Sequence, residues 1–262
     1  MQLDVQNKVF MIAGGSRGIG FGIAAALAEE GARVALAGRD AQAAREAAQQ
    51  LRDEYGASVL GSGCDVADAQ SIARWRDAVV TEFGGVDGLL VNAGGPPPGG
   101  FDDFDDAAWE AAFQLTLMSA VRLVRAVLPS MRSRGGGSIL ALTSSAIREP
   151  DNFLLLSAVM RSGVGALVKS LSRALAPDGI RVNNLVPGII ETDRIRALAE
   201  KRAQASGSEI SEALRAMQAP IPYGRFGRTD EIGKAGAFLL SNAASYITGA
   251  TLVVDGGALK PL

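Results

Sequence analysis

Short apolar runs alternate with longer amphipathic stretches along almost the whole chain. Val9–Ala13, Arg33–Ala37, Ser58–Gly61, Gly88–Asn92, Ser138–Thr143, Arg181–Val186 and Thr251–Asp255 are apolar on both faces and bounded by turn residues. Runs of that kind read as strands buried on both sides. Between them, Ala- and Leu-rich spacing predicts helices near 18–30, 41–55, 69–83, 105–134, 153–176 and 229–241. The alternation predicts an α/β fold: one doubly wound parallel sheet of about seven strands, with helices on both faces. No repeat or linker divides the chain, so residues 1–262 are expected to form a single domain. One segment breaks the rhythm. Residues 192–220 carry charges and alanines around Gly207, and are expected to form one or two helices hung over the crevice as a lid-like insertion.

Composition acts on this picture mainly by exclusion. Of 262 residues, 48% are hydrophobic and 21% charged, enough for a sizeable core. A net charge of −2 gives no general attraction to nucleic acid or to an anionic membrane, and neither is expected as a partner. Cys64 is the single cysteine, which excludes an intramolecular disulfide and fits a reducing, cytoplasmic setting. The chain has no histidine. That removes Ser-His-Asp and Cys-His catalysis and most transition-metal sites, so no metal is expected. Met1–Lys8 lacks a basic run, and the apolar stretch after it is soon broken by glycines; no signal peptide and no membrane span are expected.

The candidate chemistry begins where the first strand ends. Gly14-Gly15-Ser16-Arg17-Gly18-Ile19-Gly20 follows it directly and opens an Ala-rich helix. Glycines there let the backbone turn tightly and approach a pyrophosphate, whose charge meets free N–H groups and the positive end of the helix dipole. Further motifs follow in order. Asp65-Val66 closes the third strand, Asn92-Ala93-Gly94 follows the fourth, and Pro187-Gly188-Ile189-Ile190-Glu191-Thr192 follows the sixth. Ala244–Gly249 then leads to Val254-Asp255-Gly256-Gly257.

With these motifs spread in order over essentially its whole length, the chain resembles the short-chain dehydrogenase/reductases, in particular 3-oxoacyl-carrier-protein-reductase-like members. The resemblance implies a Rossmann-type domain, a nicotinamide cofactor and a small-molecule substrate. It implies a homo-oligomer, most often a tetramer. It also implies that Gly14, Ser16, Arg17, Gly18, Ile19 and Gly20 form the phosphate turn, and that Asp65 and Val66 border the adenine. Asn92, Ala93 and Gly94 would line the cofactor groove, while Pro187 and Gly188 lead to Ile190 and Thr192 at the nicotinamide amide.

Charge selects the cofactor. An acid at the end of the second strand would hydrogen-bond the ribose 2′-hydroxyl of NAD, whereas arginine accommodates the 2′-phosphate of NADP. This chain has Gly38 and then Arg39, with Arg17 within reach of the same phosphate; Asp40 reads as a helix N-cap. NADP(H) is the expected cofactor, ahead of NAD(H).

The chemical end departs from the family pattern of serine, tyrosine, lysine and asparagine. Ser144 matches the serine, Ser157 stands for tyrosine, Arg161 for lysine and Thr116 for asparagine. An aliphatic alcohol is a far weaker acid than a phenol of reference pKa about 10, so Ser157 alone forfeits a general-acid contribution of about 10²–10⁴-fold. Arg161 keeps a fixed charge that can still bind ribose hydroxyls, four residues from Ser157 on one helical face. Ser144, Ser157 and Arg161 are the candidate catalytic residues. Tyr223, Glu149 and Asp151 are weaker candidates for a replacement acid. The loop Gly94–Phe101, stiffened by three prolines, is expected to shape one wall of the substrate pocket. Two readings stay open: an NADP(H)-dependent oxidoreductase acting on a carbonyl or secondary alcohol with a degenerate catalytic set, or a non-catalytic nucleotide-binding sensor or scaffold.

Overall fold

A strand whose both faces are apolar must be covered above and below, and a parallel neighbour can only be reached by a crossover. The computed structural model, which describes residues 2–260, meets both demands except at the last strand, where Thr251 and Val253 are exposed; the extreme ends of the 1–262 span lie outside the described residues. Seven strands form one sheet: β1 (Val9–Ala13), β2 (Arg33–Gly38), β3 (Val59–Gly63), β4 (Gly88–Val91), β5 (Gly137–Leu142), β6 (Ile180–Pro187) and β7 (Thr251–Val254). Their order is β3-β2-β1-β4-β5-β6-β7 and every pairing is parallel. The order reverses between β1 and β4, so a crevice opens at the carboxyl ends of those two strands.

Period-two alternation sends side chains to two separate cores. Phe10, Ile12, Val34 and Leu36 pack against α1 (Gly18–Glu29), α2 (Ala41–Tyr55) and the last helix, Thr229–Leu240. Val9, Met11, Ala35 and Leu89 face α3 (Ala69–Phe83) and two long helices that follow β4 and β5. Asp40 caps α2 as its position predicts, accepting from the Gln42 N–H at 2.9 Å and the Ala43 N–H at 3.1 Å.

The single helix expected over 105–134 is interrupted. It runs as α4 (Asp106–Ala112), a π-helical stretch Phe113–Met118, and α5 (Ser119–Ser133). The Ser119 hydroxyl donates to the carbonyls of Leu115 at 2.5 Å and Thr116 at 3.2 Å, competing with the regular ladder at that point. By length and mean hydropathy (1.4) the run Asp106–Ser133 could cross a membrane, but Ala120, Leu123, Val124, Val127 and Met131 are packed into the domain core. The helix after β5 is α6 (Leu155–Ala174).

Residues 192–220 form two helices, α7 (Asp193–Ser206) and α8 (Ile210–Gln218), turned at Gly207 with φ 67°. They keep a small core of their own, Ala199, Ala203, Ala213 and Met217. Arg202 of α7 pairs with Asp151 and stacks 5.2 Å from the Phe153 ring centroid, fastening α7 to the approach to α6.

The final helix, α9 (Thr229–Leu240), ends on a cation. Arg181 of β6 donates to the carbonyls of Leu239 at 2.8 Å and Ser241 at 2.7 Å, meeting acceptors that a helix C-terminus leaves free. Arg181→Ala would orphan these carbonyls beside the sheet. Urea unfolding should show a loss of about 2–4 kcal/mol, with Arg181→Lys between the two; an unchanged midpoint would exclude this role.

Candidate functional site

The turn after β1 is tied to the end of β4. Gly14 sits at φ 60°, and a side chain there would start 2.6 Å from Asn92 Nδ2. That nitrogen donates to the carbonyl oxygens of Ala13 at 3.2 Å and Gly14 at 3.4 Å. A methyl at Gly20 would fall 2.1 Å from the Gly14 oxygen, so the first helical turn presses on the loop. Arg17 stands at the N-cap of α1 without a side-chain cap, and the first turn has no acid. The N–H groups of Gly18, Ile19 and Gly20 are therefore open to an anion.

At the end of β2, a side chain on Gly38 would lie 2.8 Å from Ser16 Oγ. The serine occupies the space an acid would need. Arg17 and Arg39 are both exposed, and among the described residues neither forms a salt bridge. Val66 is buried, while Asp65 Oδ1 accepts from the Ala67 N–H at 3.0 Å. Across the groove, Gly188 follows Pro187 and its N–H donates to Val254 at 3.0 Å. Ile190 is buried, and Thr192 Oγ1 donates to the Ile190 carbonyl at 3.2 Å. The Thr192 methyl lies 3.5 Å from where a Gly18 side chain would start, so the loop after β6 and the glycine turn face each other.

Ser157 and Arg161 do meet. Ser144 caps a short 3₁₀ turn at the end of β5, its Oγ accepting from the Ala146 N–H at 3.2 Å. On α6, Arg161 Nε donates to Ser157 Oγ at 3.2 Å, and Nη1 donates to the carbonyls of Leu142 at 2.7 Å and Thr143 at 3.2 Å. The guanidinium thus joins Ser157 to the strand end that carries Ser144. Burial, and secondarily the Arg194 charge, lower Arg161 below the ordinary arginine range to about 10, so it stays cationic at neutral pH. Arg161, Asn92, Ala93 and Thr116 border a cavity of about 10 Å³, the room of roughly one water molecule. The Thr116 hydroxyl is buried and lacks a protein partner.

The weaker candidate acids are engaged or remote. Asp151 pairs with Arg202, Glu149 accepts from the Lys260 N–H at 3.1 Å, and Tyr223 is exposed against Gly256. Among the described residues no cluster of His, Cys, Asp or Glu is placed to hold a metal. One residue of the site is absent from the motif reading: Arg194, in the first turn of α7, reaches back over the loop after β4 and donates to Pro96 O at 2.9 Å. It lies just past the Pro187–Thr192 motif, and its helical turn gives no periodic signal that it leaves the excursion.

A family model described as Enoyl-(Acyl carrier protein) reductase matches residues 13–258. The chain belongs to the short-chain dehydrogenase/reductase family. Dehydrogenase/reductase SDR family member 4 of Bos taurus is 36% identical over 259 residues, covering 98% of this chain and 89% of the relative. The 3-oxoacyl-[acyl-carrier-protein] reductase FabG of Vibrio cholerae is 34% identical over 255 residues, covering 97% and 98%. Among solved structures, L-sorbose reductase from Gluconobacter frateurii, complexed with NADPH and L-sorbose, superposes with a TM-score of 0.94 at 33% identity over 100% of both chains. The expected family and fold class hold.

A guanidinium near pKa 10 loses its charge as pH rises through that value. In Arg161→Lys the same burial would act on an ammonium and lower it below its ordinary pKa of about 10.4. Carbon-13 NMR of the Lys Cε should therefore titrate below a free lysine. A midpoint at or above 10.4 would contradict the burial argument.

Proposed function

We propose that this chain is an NADP(H)-dependent oxidoreductase acting on a carbonyl or secondary alcohol, with a hydrogen-bonded Ser157–Arg161 pair in place of an acidic phenol. The observation that carries the reading is the coexistence of a locked glycine turn with a retained Ser144 and a coupled Ser157–Arg161. A degenerate relic would have no reason to keep Arg161 bonded to both Ser157 and the Ser144 strand.

The residues fit a nicotinamide dinucleotide phosphate. Gly14, Gly18, Ile19 and Gly20 leave the helix start free for a diphosphate, Ser16 fills the place of an NAD-selecting acid, and Arg17 and Arg39 are unpaired cations for a 2′-phosphate. Asp65 and Val66 would border the adenine; Asn92, Ala93, Gly94, Pro187, Gly188, Ile190 and Thr192 would line the rest of the groove. When bound, the cofactor supplies or accepts the hydride. The protein's share is to hold the substrate oxygen and its charge. Ser144 offers one hydroxyl. Ser157 accepts from Arg161 and keeps its own O–H free to donate to that oxygen, while the adjacent guanidinium stabilises negative charge developing there. The Arg161 charge persists at neutral pH, so this is electrostatic stabilisation, with the proton drawn from solvent. The orphaned Thr116 hydroxyl favours the non-catalytic reading instead, and turnover decides between them.

NADPH should bind more tightly than NADH, with a loss of about 1.5–3 kcal/mol in Arg39→Ala. Calorimetry that finds equal affinities, or no effect of Arg39→Ala, would sink the cofactor assignment.

Activity on simple ketones should be low in the wild type. Ser157→Tyr combined with Arg161→Lys should recover part of a term of about 10²–10⁴-fold, and Ser144→Ala should remove that gain. Brisk wild-type turnover together with a slower double variant would show that the Ser157–Arg161 pair is a working alternative, not a loss.

A further inference from the structure

We propose that Arg194 and Arg161 together bind the carboxylate of an acidic carbonyl substrate, so that the enzyme acts on oxo acids or hydroxy acids in preference to neutral ketones. The assignment rests on the oxidoreductase reading above and names its substrate class.

The geometry begins at Gly95. A side chain there would start 2.6 Å from Arg194 Nη2, so glycine at this position is what lets the guanidinium lie along the loop that leaves β4. That loop starts with Asn92 and Ala93, which border the same small cavity as Arg161. Two cations, one from α6 and one from α7, therefore face the loop expected to form a wall of the substrate pocket. Arg194 is exposed and held only by the Pro96 carbonyl, through one of its nitrogens. Arg161 spends Nε and Nη1 on Ser157 and the β5 carbonyls, and Nη2 has no protein acceptor among the described residues.

Nothing nearby neutralises them. The carboxylates of the region are taken: Asp151 by Arg202, Glu191 by Arg196, Glu149 by the Lys260 N–H. Asp193, beside Arg194, is exposed and pairs with neither guanidinium. The mutual repulsion registers on the inner partner, whose pKa is lowered by the Arg194 charge as well as by burial. Two like charges at one cleft without a counter-ion are unfavourable unless an anion arrives. A guanidinium fork matches a carboxylate in a bidentate plane.

The other anion within reach is the cofactor diphosphate. It has its own provisions in the glycine turn and the start of α1, and among the described residues the acceptor Arg194 meets is the Pro96 carbonyl. The shared chemistry is an anionic oxygen group, and the arms of the test separate the two sources.

Matched pairs of 2-oxo and 3-oxo carboxylates with their methyl esters would be compared in two ways. One is kcat/KM with NADPH; the other is calorimetric binding to the protein saturated with NADP⁺, which needs no turnover. The wild type should favour carboxylate over ester by roughly 10- to 100-fold. Arg194→Met, which keeps an unbranched stem and removes the charge, should erase that preference and leave the NADPH Kd within about two-fold. Equal or ester-favouring binding across the pairs would overturn the proposal. So would an Arg194→Met variant that weakens NADPH while the carboxylate preference persists, since the arginine would then serve the diphosphate. Carboxylate-selective binding with no turnover of any pair would refute the oxidoreductase reading and leave this assignment standing.

Discussion

Asn92 donates from one amide nitrogen to the carbonyl oxygens of Ala13 and Gly14, and through that contact the turns leaving β1 and β4 are tied together just beyond the ladder that pairs the two strands. The ladder sets the strand spacing, and the amide carries the connection into the turns that form the crevice. The glycines follow from it. A side chain at residue 14 would displace Asn92, and one at residue 20 would strike the Gly14 oxygen. The crevice floor is therefore stiff before any ligand enters, which reduces the ordering that binding must supply.

The same rigidity constrains the altered chemistry. Arg161 is longer than lysine and forked, and its fork finds the carbonyls of Leu142 and Thr143 at the end of β5. Those acceptors fix the guanidinium beside Ser157, which accepts from Nε. Lysine could not make all three contacts at once in this plane. Ser157, Arg161 and the end of β5 thus form one connected arrangement. Thr116 is the exception. Its buried hydroxyl is unpaired beside a cavity the size of one water molecule, on a π-helical turn that a regular helix would not contain.

What was legible in the sequence follows from how local each cause is. Strands buried on both faces are identifiable because such runs are short, mostly apolar and bounded by turn residues, and all seven fell within a few residues of their expected bounds. Asp40 could be read as a cap because capping is a contact with residues two and three positions on. The π-helical stretch was not legible: it depends on Ser119 outcompeting the ladder, while the hydrophobic spacing over 105–134 stays helical throughout. The motifs did mark which residues gather at the crevice, and the Ser157–Arg161 spacing did predict a shared face. Where the guanidinium points was beyond them, since its acceptors lie on β5.

Arg194 illustrates the same boundary from the functional side. Its charge is visible in the chain, but α7 carries Arg196 and Arg202 as well, and each is neutralised by an acid, Glu191 and Asp151. In a helix with several arginines, composition cannot tell which one lacks a counter-ion. The tertiary arrangement does, because Gly95 admits the guanidinium to the β4 loop and no acid follows it there. An unpaired cation next to a second, partly desolvated one raises the energy of the empty cleft and lowers that of the cleft with an anion in it. The specificity of such a site comes from what it lacks when empty as much as from what it touches when filled.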